Sequence, residues 1–179
     1  GHAGKISPHE LLNSLTKNCK IPVISAGGVG NGAQMKQMLD WGACGVSIGS
    51  PFIASDESPV SHDYKMACVN YGAKDIVMTT RLSGTPCTVI NTDYVKQTGT
   101  EQNWLEQFLN SNKQIKKWTK MLTYYKGMKA LEKAAFSATY QTMWCAGPSI
   151  QFVNSIRPVK QIVEELIAEY EAAEMSAKN

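Results

Sequence analysis

No stretch of this sequence approaches the roughly 18 consecutive apolar residues that a membrane-spanning helix requires, and no charged-then-apolar leader of secretory type is visible at its start. Lysine and arginine (18) barely exceed aspartate and glutamate (15). They are scattered and form no basic stripe, which speaks against nucleic acid as the partner. Cys19, Cys44, Cys68, Cys87 and Cys145 form no Cys-x-x-Cys pair and no regular framework. That usage points to a reducing, cytoplasmic setting with buried structural thiols. Histidines and acids at helical metal-ligand spacing are lacking, so no metal site is expected. None of Ser25, Ser50 and Ser149 sits in a G-x-S-x-G elbow, which removes the usual hydrolase nucleophile. Gly28-Val29-Gly30-Asn31-Gly32 lacks both the G-x-G-x-x-G spacing and an acid at the distance a dinucleotide fingerprint needs. Internal repeats and low-complexity tracts are also missing.

What is present is an ordinary globular composition, 43% hydrophobic over 179 residues, long enough for one domain with a real core. Ser7-Pro8-His9-Glu10 is a helix start: Ser7 caps, Pro8 occupies a position that needs no N–H, and Glu10 completes a capping box. Leu11, Leu12 and Leu15 then give an apolar stripe ending near Lys17. The run 21–25 suits a short buried parallel strand. Asn31 is placed to cap a second helix, with Gln34 at the capping-box position, and Gly42 to end it with positive φ. A second strand reads 45–49. Residues 21–49 thus form a strand–helix–strand unit whose length suits a right-handed crossover.

Farther on, 61–71 reads as helix and 75–80 and 87–90 as extended. The stretch 101–140 reads as mostly helical, with Lys113, Lys116, Lys117 and Lys120 on a solvated face and Trp118, Tyr124 and Tyr125 as packing residues. A closing helix runs from Arg157 to about Glu174, with Val159, Ile162, Val163, Leu166, Ile167 and Tyr170 on its inner side. His9 and His62 read as solvated.

Two glycine turns, Ala26-Gly27-Gly28 and Ile48-Gly49-Ser50, follow the two strands. Glycine there lets backbone approach a ligand, and successive amides form an anion nest. Ser50 adds a hydroxyl, and helix starts after the strands add dipole attraction. In barrel enzymes a phosphate site sits in the loops after strands 7 and 8.

Gly1-His2-Ala3-Gly4, the segment 21–29 and the segment 45–58, in this order and spacing, closely resemble the nitronate monooxygenase family, formerly 2-nitropropane dioxygenases. That family also holds flavin-dependent enoyl-acyl carrier protein reductases. The likeness is dense over 1–58, weakens through 59–140 and returns at Trp144-Cys145-Ala146-Gly147 and the closing helix.

The resemblance implies an α/β fold, the C-terminal portion of a TIM (β/α)8 barrel with a helical insertion and a C-terminal helix. Residues 1–58 would carry the end of strand 6 through strand 8, 59–143 a largely helical cap, and 144–179 the return segment and closing helix. It implies FMN, its phosphate held by Gly27, Gly28, Gly49 and Ser50, with Gly1, Ala26, Trp144, Ala146 and Gly147 also at the cofactor. His2 would be the catalytic residue. The implied reaction is oxidation of an alkyl nitronate by O2 to a carbonyl compound and nitrite. Reduction of an enoyl thioester by NAD(P)H is the alternative, and a non-catalytic barrel remnant binding a phosphorylated ligand is a third. A small-molecule substrate is expected, a homodimer is allowed, and nucleic acid and membrane are not expected partners. Ser50 departs from the family's usual threonine but keeps the hydroxyl. Two barrel strands cannot close a sheet of eight, so a longer protein or a pairing chain is expected.

Overall fold

The computed structural model describes residues 4, 6–81, 86–101, 127 and 143–178. Helix α1 (Pro8–Asn18) begins as its local sequence dictates. The Glu10 amide donates to Ser7 Oγ at 3.2 Å, and the Ser7 amide donates to Glu10 Oε2 at 3.3 Å. Two amides that helix geometry leaves without partners are thereby satisfied.

Strands β1 (Ile24–Ala26) and β2 (Gly45–Ser47) pair in parallel, with Ile24 opposite Gly45 and Ala26 opposite Ser47. The ladder is prolonged at its ends by Cys44 N–H to Val23 O at 2.8 Å and Gly27 N–H to Ser47 O at 3.3 Å. Both strands are shorter than expected. At the start of β1, Pro22 has no N–H to give a ladder.

Helix α2 (Gly32–Asp40) is the crossover. Asn31 Oδ1 accepts from the Gln34 amide at 2.9 Å. Gln34 Oε1 accepts from Gly30 rather than from Asn31, also at 2.9 Å. Gly42, at φ +94°, ends the helix as expected. Leu12, Val29, Met38 and Ala43 form the core between the helices and this sheet. The sheet is covered on one face only: Ser25 is 8% exposed but Ile24 is 65% exposed. A strand buried on both faces, as its apolar run led us to expect, is therefore not what is found among the described residues.

After the short α3 (Ser50–Ile53) comes α4 (His62–Asn70), capped by Ser61. Strands β3 (Ile76–Thr79) and β4 (Cys87–Ile90) form an antiparallel pair, and α5 (Asp93–Thr98) follows. A second core gathers Ala54, Tyr64, Ala67, Cys68, Ile90, Trp144, Ile150 and Val153. The helical reading of 101–140, with its lysine face and its Trp118, Tyr124 and Tyr125 cluster, falls almost wholly outside the described residues.

The closing helix α6 (Val159–Ala177) starts where the Glu57 carboxylate accepts from the Val159 amide at 2.9 Å. It packs along α2. Contact is close because Gly32 has no side chain: a Cβ there would stand 2.6 Å from Glu169 Cβ and closer still to Leu166 O and Tyr170 N. Ile162 and Leu166 are buried, each burial worth about 1.5–3 kcal/mol. Val163 and Ile167, expected on the same inner side, are instead 39% and 48% exposed. They lie about 100° around the helix from the buried pair, beyond the narrow seam that α2 covers. No helix among the described residues is long and apolar enough to cross a membrane.

Candidate functional site

A cleft of about 770 Å³ opens at the carboxyl ends of β1 and β2, a volume typical of small-molecule sites. Its two ends differ chemically. One wall is apolar, from Leu11, Leu12 and Leu15 of α1 with Val23 and Ile24. The other end is made by Gly27, Gly28, Gly49, Ser50 and Ser149. The arrangement suits an elongated ligand with an apolar body and an anionic tip.

Gly27 and Gly28 adopt successive positive φ values of +83° and +76°, a conformation other residues enter only at a cost. A Cβ on either, or on Gly49, would meet nothing within 4 Å. The backbone is therefore open toward the cleft at three points. The Gly28 amide has no hydrogen-bond partner among the described residues. Helix α2 does not supply a free N-terminus, contrary to expectation. Its Gly32 amide is taken by Glu169 Oε2 of α6 at 2.7 Å and its Gln34 amide by Asn31.

The far side of the cleft comes from the return segment 143–152. Ile90 N–H donates to Trp144 O at 2.9 Å, and Cys145 bridges Val89 in antiparallel fashion. From the other side, Tyr64 Oη donates to the Cys145 carbonyl, and its ring stacks on Trp144 with centroids 5.6 Å apart. Clamped in this way, the segment brings the Gly147 amide to Ser50 Oγ at 2.9 Å. Burial pushes the Tyr64 phenol well above its ordinary range and the Cys68 thiol up to about 12. Both are packing groups. Cys87 and Cys145 touch at the same junction. Hydrogen bonding between them lowers the Cys87 thiol below its ordinary range and, together with burial, raises Cys145.

The structure thus brings Ala26, Gly27, Gly28, Gly49, Ser50 and Gly147 to one cleft. Trp144 and Ala146, expected at the cofactor, are buried in the core and do not line it; they hold the segment that carries Gly147. His2 and Gly1 lie outside the described residues. Thr88 and Ser149 line the cleft without having been expected there. Thr88 arrives on β4, and its alternation with buried Cys87 and Val89 is the one local signal that it faces elsewhere. His9 and His62 are exposed, as expected, and His9 rests on Trp41.

A parallel strand–helix–strand unit with a cleft outside the carboxyl ends of its strands is the place where open α/β folds bind small molecules. Comparison with known proteins narrows the class. The family profile described as nitronate monooxygenase matches residues 1–169. FabK from Thermotoga maritima superimposes with a TM-score of 0.78 at 27% identity, over 99% of this chain and 53% of that one. A Rhodococcus jostii protein named (3aS,4S,5R,7aS)-5-hydroxy-7a-methyl-1-oxo-octahydro-1H-indene-4-carboxyl-CoA dehydrogenase is 35% identical over 95 residues, 53% of this chain and 27% of that protein. A nitronate monooxygenase of Paraburkholderia phytofirmans is 31% identical over 93 residues, 47% and 25% of the two chains. The chain belongs to the nitronate monooxygenase family, a group of oxidoreductases, and spans about half the length of the FabK structure.

Proposed function

We propose that this chain forms the phosphate-binding part of an FMN-dependent barrel enzyme that oxidises alkyl nitronates with O2 to carbonyl compounds and nitrite. The observation that carries the reading is the cleft itself. Two glycine turns on adjacent parallel strands border one cleft of about 770 Å³, which apolar residues of α1 also line. FMN has that shape: a dianionic phosphate at one end and an apolar ring at the other. The residues fit it, because Gly27, Gly28 and Gly49 leave room where any side chain would stand. When bound, the flavin supplies the electron transfer, and the protein supplies binding, orientation and electrostatics.

In this reading the turn amides and Ser50 hold the phosphate, and Gly147 fixes the Ser50 hydroxyl by donating to it. His2 is the residue proposed to meet the substrate. Protonated, it stabilises the bound nitronate anion; neutral, it accepts the proton of a nitroalkane.

A second reading is reduction of an enoyl thioester by NAD(P)H. It is favoured by the Rhodococcus relative, whose name makes it a dehydrogenase of a coenzyme A ester. The test uses the intact purified protein. Its visible spectrum is recorded, then oxygen uptake with a nitronate is compared with NAD(P)H oxidation by an enoyl thioester. Nitronate-dependent uptake by a yellow protein is expected. Activity in the thioester assay alone would transfer the assignment to the second reading. A colourless, inert protein would leave only a phosphate-ligand binder. His2→Ala should depress turnover with the flavin still bound, and loss of flavin would make that histidine structural.

A further inference from the structure

We infer that Ser149 is a ligand of the cofactor phosphate, a second hydroxyl donor beside Ser50 that completes the anion pocket from the return segment. The inference rests on the flavin reading above and adds one residue to it.

Ser149 is only 6% exposed, yet it lines the cleft, and its hydroxyl has no hydrogen-bond partner among the described residues. The hydroxyl oxygen is not sealed in the core; with the residue otherwise covered and lining the cleft, its donor is free for a ligand that arrives there.

Its close approach to the turn after β1 depends on Gly30, and Gly147 locates its hydroxyl. Ser149 packs on Gly30, where a Cβ would stand 2.8 Å from both Ser149 Cβ and Ser149 O. A Cβ on Gly147 would be 3.4 Å from Ser50 Oγ and 3.8 Å from Ser149 Oγ. Both hydroxyls therefore border the same point, just above the Gly147 α-carbon. Ser50 Oγ already accepts the Gly147 N–H at 2.9 Å, so its own proton is left for another acceptor. Among the described residues no backbone amide donates to Ser149 Oγ, and its proton is equally available.

A phosphate monoester dianion accepts hydrogen bonds and donates none. The pocket meets it with the Gly28 amide on one side and two hydroxyls on the other. Pro148, in the first turn of the short helical segment Pro148–Phe152, stiffens the turn that presents Ser149.

The experiment compares FMN with riboflavin, which has the ring and ribityl chain but no phosphate. Dissociation constants of both are measured by flavin fluorescence with the intact apo-protein, as wild type, Ser149→Ala and Ser149→Cys. Ser149→Ala should weaken FMN by about 10- to 100-fold, the worth of one hydrogen bond to a charged group, and leave riboflavin unchanged. Ser149→Cys, close in size but a weak donor, should lose nearly as much. Equal losses for FMN and riboflavin would make Ser149 a packing residue and overturn the inference. So would unchanged FMN binding in both variants, with the flavin reading left standing. A wild-type protein that binds neither flavin would remove that reading and the inference with it.

Discussion

Substituting Gly32 by alanine tests how the closing helix is seated behind the site. The new Cβ would overlap Leu166 O and Tyr170 N and stand 2.6 Å from Glu169 Cβ. Two of these atoms are backbone and cannot rotate aside, so α6 must move off α2. Overpacking of this kind costs about 1–3 kcal/mol. Displacement also stretches the 2.7 Å bond from the Gly32 amide to Glu169 Oε2, a bond to a charged acceptor worth about 1.5–3 kcal/mol. Alanine's better helix propensity returns about 1 kcal/mol. The net loss is about 3 kcal/mol, which for a chain of this size lowers the melting temperature by roughly 6–12 °C. Circular dichroism melts of the intact protein read it directly. Gly45→Ala is the control, since its Cβ would meet only Ile24 Cγ1 at 3.9 Å; it should change stability by no more than about 1 kcal/mol. A Gly32→Ala protein melting with the wild type would refute the close α2–α6 approach.

Ser50→Ala should cut FMN affinity at least about 10-fold and also free the Gly147 amide, whereas Ser50→Thr, which keeps the oxygen, should retain binding in the same fluorescence titration. Alkaline stability has a defined sign. Folded Cys68 holds its proton up to about 12 against an ordinary 9.0, so its contribution is complete below pH 9 and is lost as pH climbs toward 12. Cys68→Ala should flatten that part of the melting temperature–pH curve, and an unchanged slope would exclude Cys68 as its source. In native thiol labelling Cys19 and Cys44, both exposed, should react at once, while buried Cys68 and Cys87 wait for denaturant; early labelling of Cys68 would contradict the core described above.

Features governed by a few neighbouring residues were legible in the chain. The Ser7–Glu10 box, the Asn31 cap and the Gly42 stop each need only contacts within four positions, so their chemistry is written locally. The parallel pairing of β1 and β2 followed from the length between them, because a short hairpin cannot join parallel strands. Gly27, Gly28, Gly49 and Ser50 were readable for a related reason: a glycine turn at a strand end is itself a local event.

What escaped were the meetings of distant segments. Gly30 and Gly32 looked like part of a turn, but they are bare because Ser149 and α6 press against them from more than a hundred residues away. Trp144 resembled a cofactor residue and became the core on which Tyr64 stacks. Val163 and Ile167 shared an apolar pattern with Ile162 and Leu166, yet a helix face is buried only where another element lies over it. Periodicity names the surfaces available for contact. Which of them are covered, and which hydroxyl ends beside which, depends on how the chain closes on itself in space.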